Sequence, residues 1–106
     1  MLFSKKIKIL FLPNVNETSG AGHFFRCLSI AKALKNYSNC FFNFESKELF
    51  FKKIIKQNNM FFCKKKIIDY TDNEFSTVII DNYEIKQTEI NILKKKSNKI
   101  ILINDF

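Results

Sequence analysis

The sequence predicts an α/β fold, with a parallel sheet of about five strands and helices on both faces. Short apolar runs alternate along the chain with segments of helical periodicity. Residues 9–12 and 78–80 are continuously apolar, as in parallel strands that are buried on both faces. Parallel strands need crossover connections, which the helical segments supply. With 106 residues, we expect a single domain.

The first βα unit shows the clearest pattern. Residues 6–12 form the first predicted strand, and Pro13 ends it because proline has no N–H to donate to a sheet. Residues 14–19 are polar and predict a loop. Apolar side chains then recur at helical spacing from Phe24 and Cys27 onwards, which predicts a helix over residues 23–35.

The remaining elements follow the same alternation. Ser46 is a candidate N-cap for the second helix, and residues 71–76 are too short to hold a helix in the third connection. The predicted strands are residues 40–44, 66–70, 77–81 and 99–104, and the predicted helices are residues 46–58 and 86–96.

Composition limits the classes of function. The net charge of +8 comes almost entirely from dispersed lysines, without an arginine-rich, aromatic-interleaved patch, so we expect no nucleic-acid partner. Cys27, Cys40 and Cys63 lack metal-like spacing and indicate reduced thiols. No apolar run is long enough for a signal-peptide core or a membrane span. We therefore expect a cytoplasmic protein with no membrane partner.

The most distinctive stretch is the turn that precedes the first helix. Residues 19–28 contain both glycines, the histidine and the arginine of the chain. A helix start offers unpaired N–H groups and partial positive charge to a ligand. Gly20 and Gly22 permit positive φ and close backbone approach, although a plain tight turn explains such a pair equally well. Phe25 stands where a dinucleotide fingerprint needs a third glycine.

His23 and Arg26 are the first candidate site residues. A helix start favours neutral imidazole, which can accept a proton from water, so His23 is a candidate general base. The alternative is a surface or capping histidine. Arg26 lies one turn further and can face the same cleft to hold an anionic or acetamido group. Its alternative is an exposed cation.

Further candidates follow the ends of later strands. Asp81 and Tyr83 come after the fourth predicted strand, and Asp105 follows the fifth. The carboxyl ends of parallel strands meet at one rim, where ligands bind in such sheets. Asp81 can orient a neighbouring side chain or bind sugar hydroxyls, and Tyr83 can contact a sugar. The alternative is a capping aspartate beside a half-buried tyrosine. A single histidine and scattered carboxylates argue against a metal site.

These residues resemble a known family. Residues 20–31, Gly-Ala-Gly-His-Phe-Phe-Arg-Cys-Leu-Ser-Ile-Ala, are similar to the Gly-x-Gly-His-x-x-Arg-Cys-Leu-x-Leu-Ala signature of the pseudaminic acid pathway hydrolases. These enzymes act on UDP-2,4-diacetamido-2,4,6-trideoxy-β-L-altropyranose and are relatives of the MurG-type GT-B glycosyltransferases. Residues 78–83 resemble the family's Val-Val-Asp-x-Tyr segment, and residues 101–105 resemble its strand ending in an Asp pair.

The resemblance implies a Rossmann-like GT-B N-terminal domain and inverting hydrolysis that requires neither metal nor cofactor. His23 matches the catalytic histidine, Arg26 and Tyr83 match positions near the sugar, and Gly20 and Gly22 shape the loop. The chain departs from the family at Leu12 and Asn14, where an Arg-x-Asp is usual, and at residues 104–105, where the Asp pair is Asn-Asp.

A second domain supplies most of the nucleotide site in GT-B proteins, and it is expected to be missing from this chain. We therefore expect the 106-residue polypeptide alone to show little or no hydrolysis. Two alternatives remain open: a fragment of a GT-B glycosyltransferase, and a non-catalytic binding or assembly module that exposes a phenylalanine-rich face.

Overall fold

A computed structural model describes residues 6–15, 21–46 and 48–103. The strands are β1 (Ile7–Pro13), β2 (Ser38–Phe42), β3 (Phe61–Phe62), β4 (Phe75–Asp81) and β5 (Ser97–Leu102). The helices are α1 (Gly22–Leu34), α2 (Leu49–Gln57) and α3 (Gln87–Lys96), and a 3₁₀ turn covers Ile67–Asp69.

The five strands form one parallel sheet in the order β3-β2-β1-β4-β5. The chain moves outwards from β1 to β3, returns to β4 beside β1, and then moves to β5. The strand order therefore changes direction between β1 and β4, where Ile9 pairs with Thr77 and Pro13 pairs with Asp81. This Rossmann-like arrangement confirms the predicted fold class.

Helices cover both faces of the sheet, because alternate side chains of the central strands enter different cores. Ile9 and Phe11 of β1 pack with the buried side of α1 and α2. Leu10 and Leu12, from the same strand, pack with Ile90 and other buried residues of α3 and β4. The continuously apolar sequence of β1 is therefore explained by burial on both sides.

The third strand is the main correction to the predicted elements. Residues 66–70 were expected to form it, but the strand is the short pair Phe61–Phe62, and Ile67–Asp69 is the 3₁₀ turn. The ring of Phe61 stacks on Phe41 of β2 at 4.9 Å between centroids, so pairing with a neighbour decides the assignment. The third connection contains no α-helix within residues 63–74, as expected.

The second helix begins later than its sequence indicates. Ser46 was the expected N-cap, whereas Glu48 occupies that position. The Ser46 hydroxyl oxygen instead accepts a hydrogen bond from the Glu48 N–H at 3.1 Å, two residues along the chain. Among the described residues the longest helix, α1, has 13 residues, and none is long and apolar enough to cross a membrane.

Candidate functional site

The candidate site lies where α1 begins and β4 ends. His23 is in the first turn of α1, and Asp81 is the last residue of β4. These two points meet because β1 and β4 are neighbouring parallel strands, so the chain leaves both at the same rim. The Asn14 N–H, just beyond β1, donates to the backbone carbonyl of Asp81 at 2.9 Å and ties the two strand ends together.

His23 and Asp81 form a hydrogen-bonded pair. Nδ1 of His23 lies 2.8 Å from Oδ1 of Asp81. The carboxylate can only accept, so Nδ1 carries the proton and Nε2 of the neutral ring is the acceptor. The Asp81 side chain is 2% exposed and that of His23 is 18% exposed. A buried carboxylate therefore orients an imidazole that solvent can still reach.

Arg26 contacts the same carboxylate through two nitrogens. Nε donates to Oδ2 of Asp81 at 2.7 Å, and Nη2 donates to Oδ1 at 2.6 Å. A planar guanidinium fits a carboxylate in this two-point manner, which fixes the plane of the carboxylate as well as its position. The predicted proximity of His23 and Arg26 is confirmed, while substrate contact by Arg26 stays a prediction.

These contacts keep Asp81 ionised. Burial alone would raise the pKa of this carboxyl, but hydrogen bonds from Arg26 and His23, and the positive charge of Arg26, outweigh burial and lower it. Asp81 is thus an anion at neutral pH with both oxygens engaged. This geometry favours a role for Asp81 in orienting His23.

Tyr83 lies beside the imidazole and faces solvent. Its ring centroid is 5.8 Å from that of His23, with the ring planes at 65°. The residue is 77% exposed, so its phenol is available to a ligand at the mouth of the site. The half-buried tyrosine of the alternative interpretation is therefore not what the structure shows.

Of the two glycines and Asp105, the structure describes only Gly22. Gly20 and Asp105 lie outside the described residues. Gly22 begins α1 without the positive φ that the sequence suggested. Apart from its chain neighbours and the adjoining backbone of α1, no described atom lies within 4 Å of where a Cβ would stand, so packing within the described residues does not require a glycine there.

Cys27 lies on the buried face of α1, as the helical spacing predicts. Burial, followed by the negative charge of Asp81, raises the pKa of its thiol to about 12, although the charge of Arg26 acts in the opposite direction. A thiol in this state is a poor nucleophile at neutral pH. Cys27 is therefore unsuited to nucleophilic catalysis in this fold.

Sequence reasoning missed the contribution of Asn14 and Asn82. Asn14 joins the ends of β1 and β4, and Asn82 stands between the two residues that contact His23. The available signal was their position just after predicted strands, where asparagines face the rim. Among residues 6–15, 21–46 and 48–103, no group of three or more His, Cys, Asp or Glu is placed to hold a metal ion.

Comparison with protein-family models, curated proteins and solved structures finds no match to this chain. The chemical interpretation thus depends on the geometry itself. A buried carboxylate on Nδ1 of a partly exposed imidazole is the arrangement of a histidine base that takes a proton from a hydroxyl group or water.

Proposed function

We propose that this chain is the N-terminal half of a nucleotide-sugar hydrolase, which releases UDP from a UDP-linked diacetamido-trideoxyhexose. The observation that carries the proposal is the 2.8 Å contact between Nδ1 of His23 and Oδ1 of Asp81. It leaves Nε2 as the proton acceptor at the rim of a Rossmann-like sheet. The sequence resemblance supplies the class of substrate.

In the proposed reaction, His23 activates a water molecule at the anomeric carbon. Nε2 takes a proton as the water oxygen bonds to that carbon, and the carbon–oxygen bond to UDP breaks, with its electron pair leaving on the phosphate. Attack opposite the leaving group inverts the anomeric centre. Asp81 stabilises the imidazolium that forms, because its negative charge lies 2.8 Å from Nδ1.

Arg26 and Tyr83 support this base in different ways. The two hydrogen bonds from Arg26 prevent the Asp81 carboxylate from rotating away from the imidazole. Tyr83 offers an exposed ring and hydroxyl beside His23, where the sugar would lie. The diphosphate is assigned to a second, nucleotide-binding domain, whose binding energy helps to drive the chemical step.

The decisive experiment compares the 106-residue chain alone with the same chain in the presence of its nucleotide-binding domain. That domain is supplied either as a fusion in one reading frame or as a separate protein. Release of UDP and of free sugar is measured from the UDP-linked diacetamido sugar. We expect turnover only when both domains are present. His23→Ala should lower the rate about 10²–10⁴-fold, the range for a lost acid–base group.

Lys32→Ala is the control, since Lys32 lies on the exposed side of the same helix and should leave the rate unchanged. A nearly normal rate in His23→Ala would remove the imidazole from the mechanism. Formation of a glycoside in place of free sugar would show a glycosyltransferase, in which the same histidine deprotonates an acceptor hydroxyl.

A further inference from the structure

Three large apolar side chains at the start of α1 and α2 are in contact with solvent. Phe25 of α1 is 41% exposed, and Leu49 and Phe50 of α2 are 66% and 55% exposed. All three lie in the first turns of their helices, which begin at the rim where β1 and β2 end. We refer to Phe25, Leu49 and Phe50 as the apolar patch.

Aromatic contacts connect the two helices beneath the apolar patch. The ring of Phe25 packs edge-on against buried Phe24, and that of Phe50 packs edge-on against buried Phe51, each at 5.3 Å between centroids. Phe24 and Phe51 contact each other at 4.8 Å. Because α1 and α2 also pack into the same core, the apolar patch belongs to one face of the molecule, here called the α1–α2 face.

Exposed lysines follow the apolar patch along both helices. Lys53 comes three residues after Phe50 and four after Leu49, so it shares their side of α2. Lys32 comes seven residues after Phe25 and shares its side of α1. Neither helix contains an aspartate or glutamate. The two helices therefore combine exposed apolar side chains with lysines alone.

The segment that runs from α1 through β2 to α2 is positively charged. Residues 21–60 contain six lysines and Arg26 but only two acidic residues, Glu45 and Glu48. This segment carries +5 of the net charge of +8. Arg26 is engaged by Asp81, so the lysines supply the charge that a partner would meet.

The other face of the sheet differs in charge. A cavity of about 500 Å³ opens there at the same rim, beside the candidate site, and two lysines and three glutamates contribute to its lining: Lys65, Lys66, Glu45, Glu84 and Glu89. Cations and carboxylates are thus mixed around the cavity. A surface that attracts anions belongs instead to the α1–α2 face.

We infer that the α1–α2 face binds the surface of an anionic lipid bilayer. The apolar patch enters the interface, and Lys32 and Lys53 lie against the headgroups. Helices with large apolar side chains and lysines bind bilayers in this way, since insertion and attraction to anionic lipids add together. The short apolar runs of the sequence exclude a spanning helix but not a helix on the membrane surface, so this inference replaces the expectation of no membrane partner.

The size of the apolar patch favours a bilayer over a protein partner. At these exposures the three residues present roughly 300 Å² of surface, taking about 200 Å² for each. A stable protein interface buries about 800 Å² on each partner. A second copy of this chain would also bring like charges together. The inference does not rest on the proposed hydrolysis, because it uses exposure and charge alone.

The first test is sedimentation of the 106-residue chain with vesicles of phosphatidylcholine, alone or mixed equally with phosphatidylglycerol. We expect saturable binding to the mixed vesicles, binding about tenfold weaker or less to phosphatidylcholine alone, and release as NaCl rises from about 0.1 to about 1 M. No binding to the mixed vesicles, or equal binding to both kinds, would overturn the inference. So would a dimer that forms without vesicles and is lost in Phe50→Ser.

Matched variants locate the binding surface. Phe50→Ser should weaken binding to the mixed vesicles about tenfold, whereas Ile68→Ser, at a 61% exposed residue of the 3₁₀ turn beside α3, should bind like the wild type. Lys53→Glu on α2 should also weaken binding about tenfold, and Lys95→Glu, at an exposed position of α3, should have a much smaller effect. Equal losses within either pair would show attraction to the whole charged chain and overturn the inference.

Tryptophan fluorescence reports insertion directly, because the chain contains no tryptophan. The emission of Phe50→Trp should shift to shorter wavelength on the mixed vesicles and be quenched by brominated lipid, while that of Ile68→Trp should stay unchanged. Unshifted emission from vesicle-bound Phe50→Trp would overturn the inference. His23→Ala should bind vesicles like the wild type, so failure of membrane binding and failure of the proposed hydrolysis are distinguishable.

Discussion

The guanidinium of Arg26 reaches both carboxylate oxygens of Asp81, with contacts of 2.7 and 2.6 Å from adjacent nitrogens. Asp81 therefore approaches His23 from a fixed plane, and the imidazole hydrogen bond is aligned before any ligand arrives. Arg26 joins the first turns of α1 to the end of β4, so the same contact contributes to both stability and the orientation of the candidate base.

Asp81→Asn should destabilise the domain. The asparagine side chain is uncharged and has a single acceptor oxygen, so it cannot accept the two hydrogen bonds from Arg26 together with the one from His23. One polar contact of a side chain that is 2% exposed is therefore lost. We expect the free energy of unfolding to fall by about 1–3 kcal/mol, measured by urea denaturation. Asp72→Asn, at an exposed position, should change it by less than about 0.5 kcal/mol. Equal effects would contradict a special role for the Asp81 contacts.

The same carboxylate predicts a dependence of stability on acid pH. Hydrogen bonding lowers the folded pKa of Asp81 below its unfolded value despite burial. Between the two pKa values the unfolded chain binds more protons, so stability rises with pH there. The contribution of Asp81 is complete above the unfolded pKa, about 3.9, and is lost as the pH falls through the lower folded pKa.

Urea midpoints of the wild type and Asp81→Asn should therefore converge as the pH is lowered from 6 towards about 2. Burial alone would raise the carboxyl pKa of Glu74, but Thr71 and Lys65 outweigh burial and lower it. Because this lowering is the same in both proteins, it cancels when their urea midpoints are compared. A constant difference across this range would show that Asp81 acts without its charge.

The three thiols should differ in reactivity. Cys27 and Cys40 are buried, and Cys63 is half-buried. Burial raises the pKa of the Cys27 thiol to about 12 and also raises that of Cys40. We expect iodoacetamide at pH 8 to modify Cys63 first and the other two only after unfolding, as followed by peptide mass spectrometry. Rapid modification of Cys27 in the folded protein would contradict the position of α1.

Adjacent phenylalanines on α1 provide a matched test of the core. Phe24 is fully buried and its ring contacts those of Phe42 and Phe51 at 5.7 and 4.8 Å, whereas Phe25 is 41% exposed. Phe24→Ala should cost about 3–5 kcal/mol of unfolding free energy. Phe25→Ala should cost about 1 kcal/mol or less. Similar losses would place α1 in a different rotation on the sheet.

Much of the fold could be predicted from local patterns in the sequence. The alternation of apolar runs and helical stripes predicted four of the five strands and all three helices, with shifted ends, because burial on one or two faces leaves a periodic record in the sequence. The third strand left no such record. Phe61–Phe62 is a two-residue edge strand, and only its pairing with Phe41 and Phe42 makes it a strand.

The sequence alone also determined which residues gather at one rim, since the direction of parallel strands places every βα junction there. It indicated His23, Arg26, Asp81 and Tyr83 as candidate site residues, but it did not indicate which of these side chains are in contact. The tertiary structure decided that the Asp81 carboxylate hydrogen-bonds to both His23 and Arg26, and that the cavity beside them opens on the other face of the sheet. Those facts depend on the β1–β4 register and on residues 55 or more positions apart, which no local pattern records.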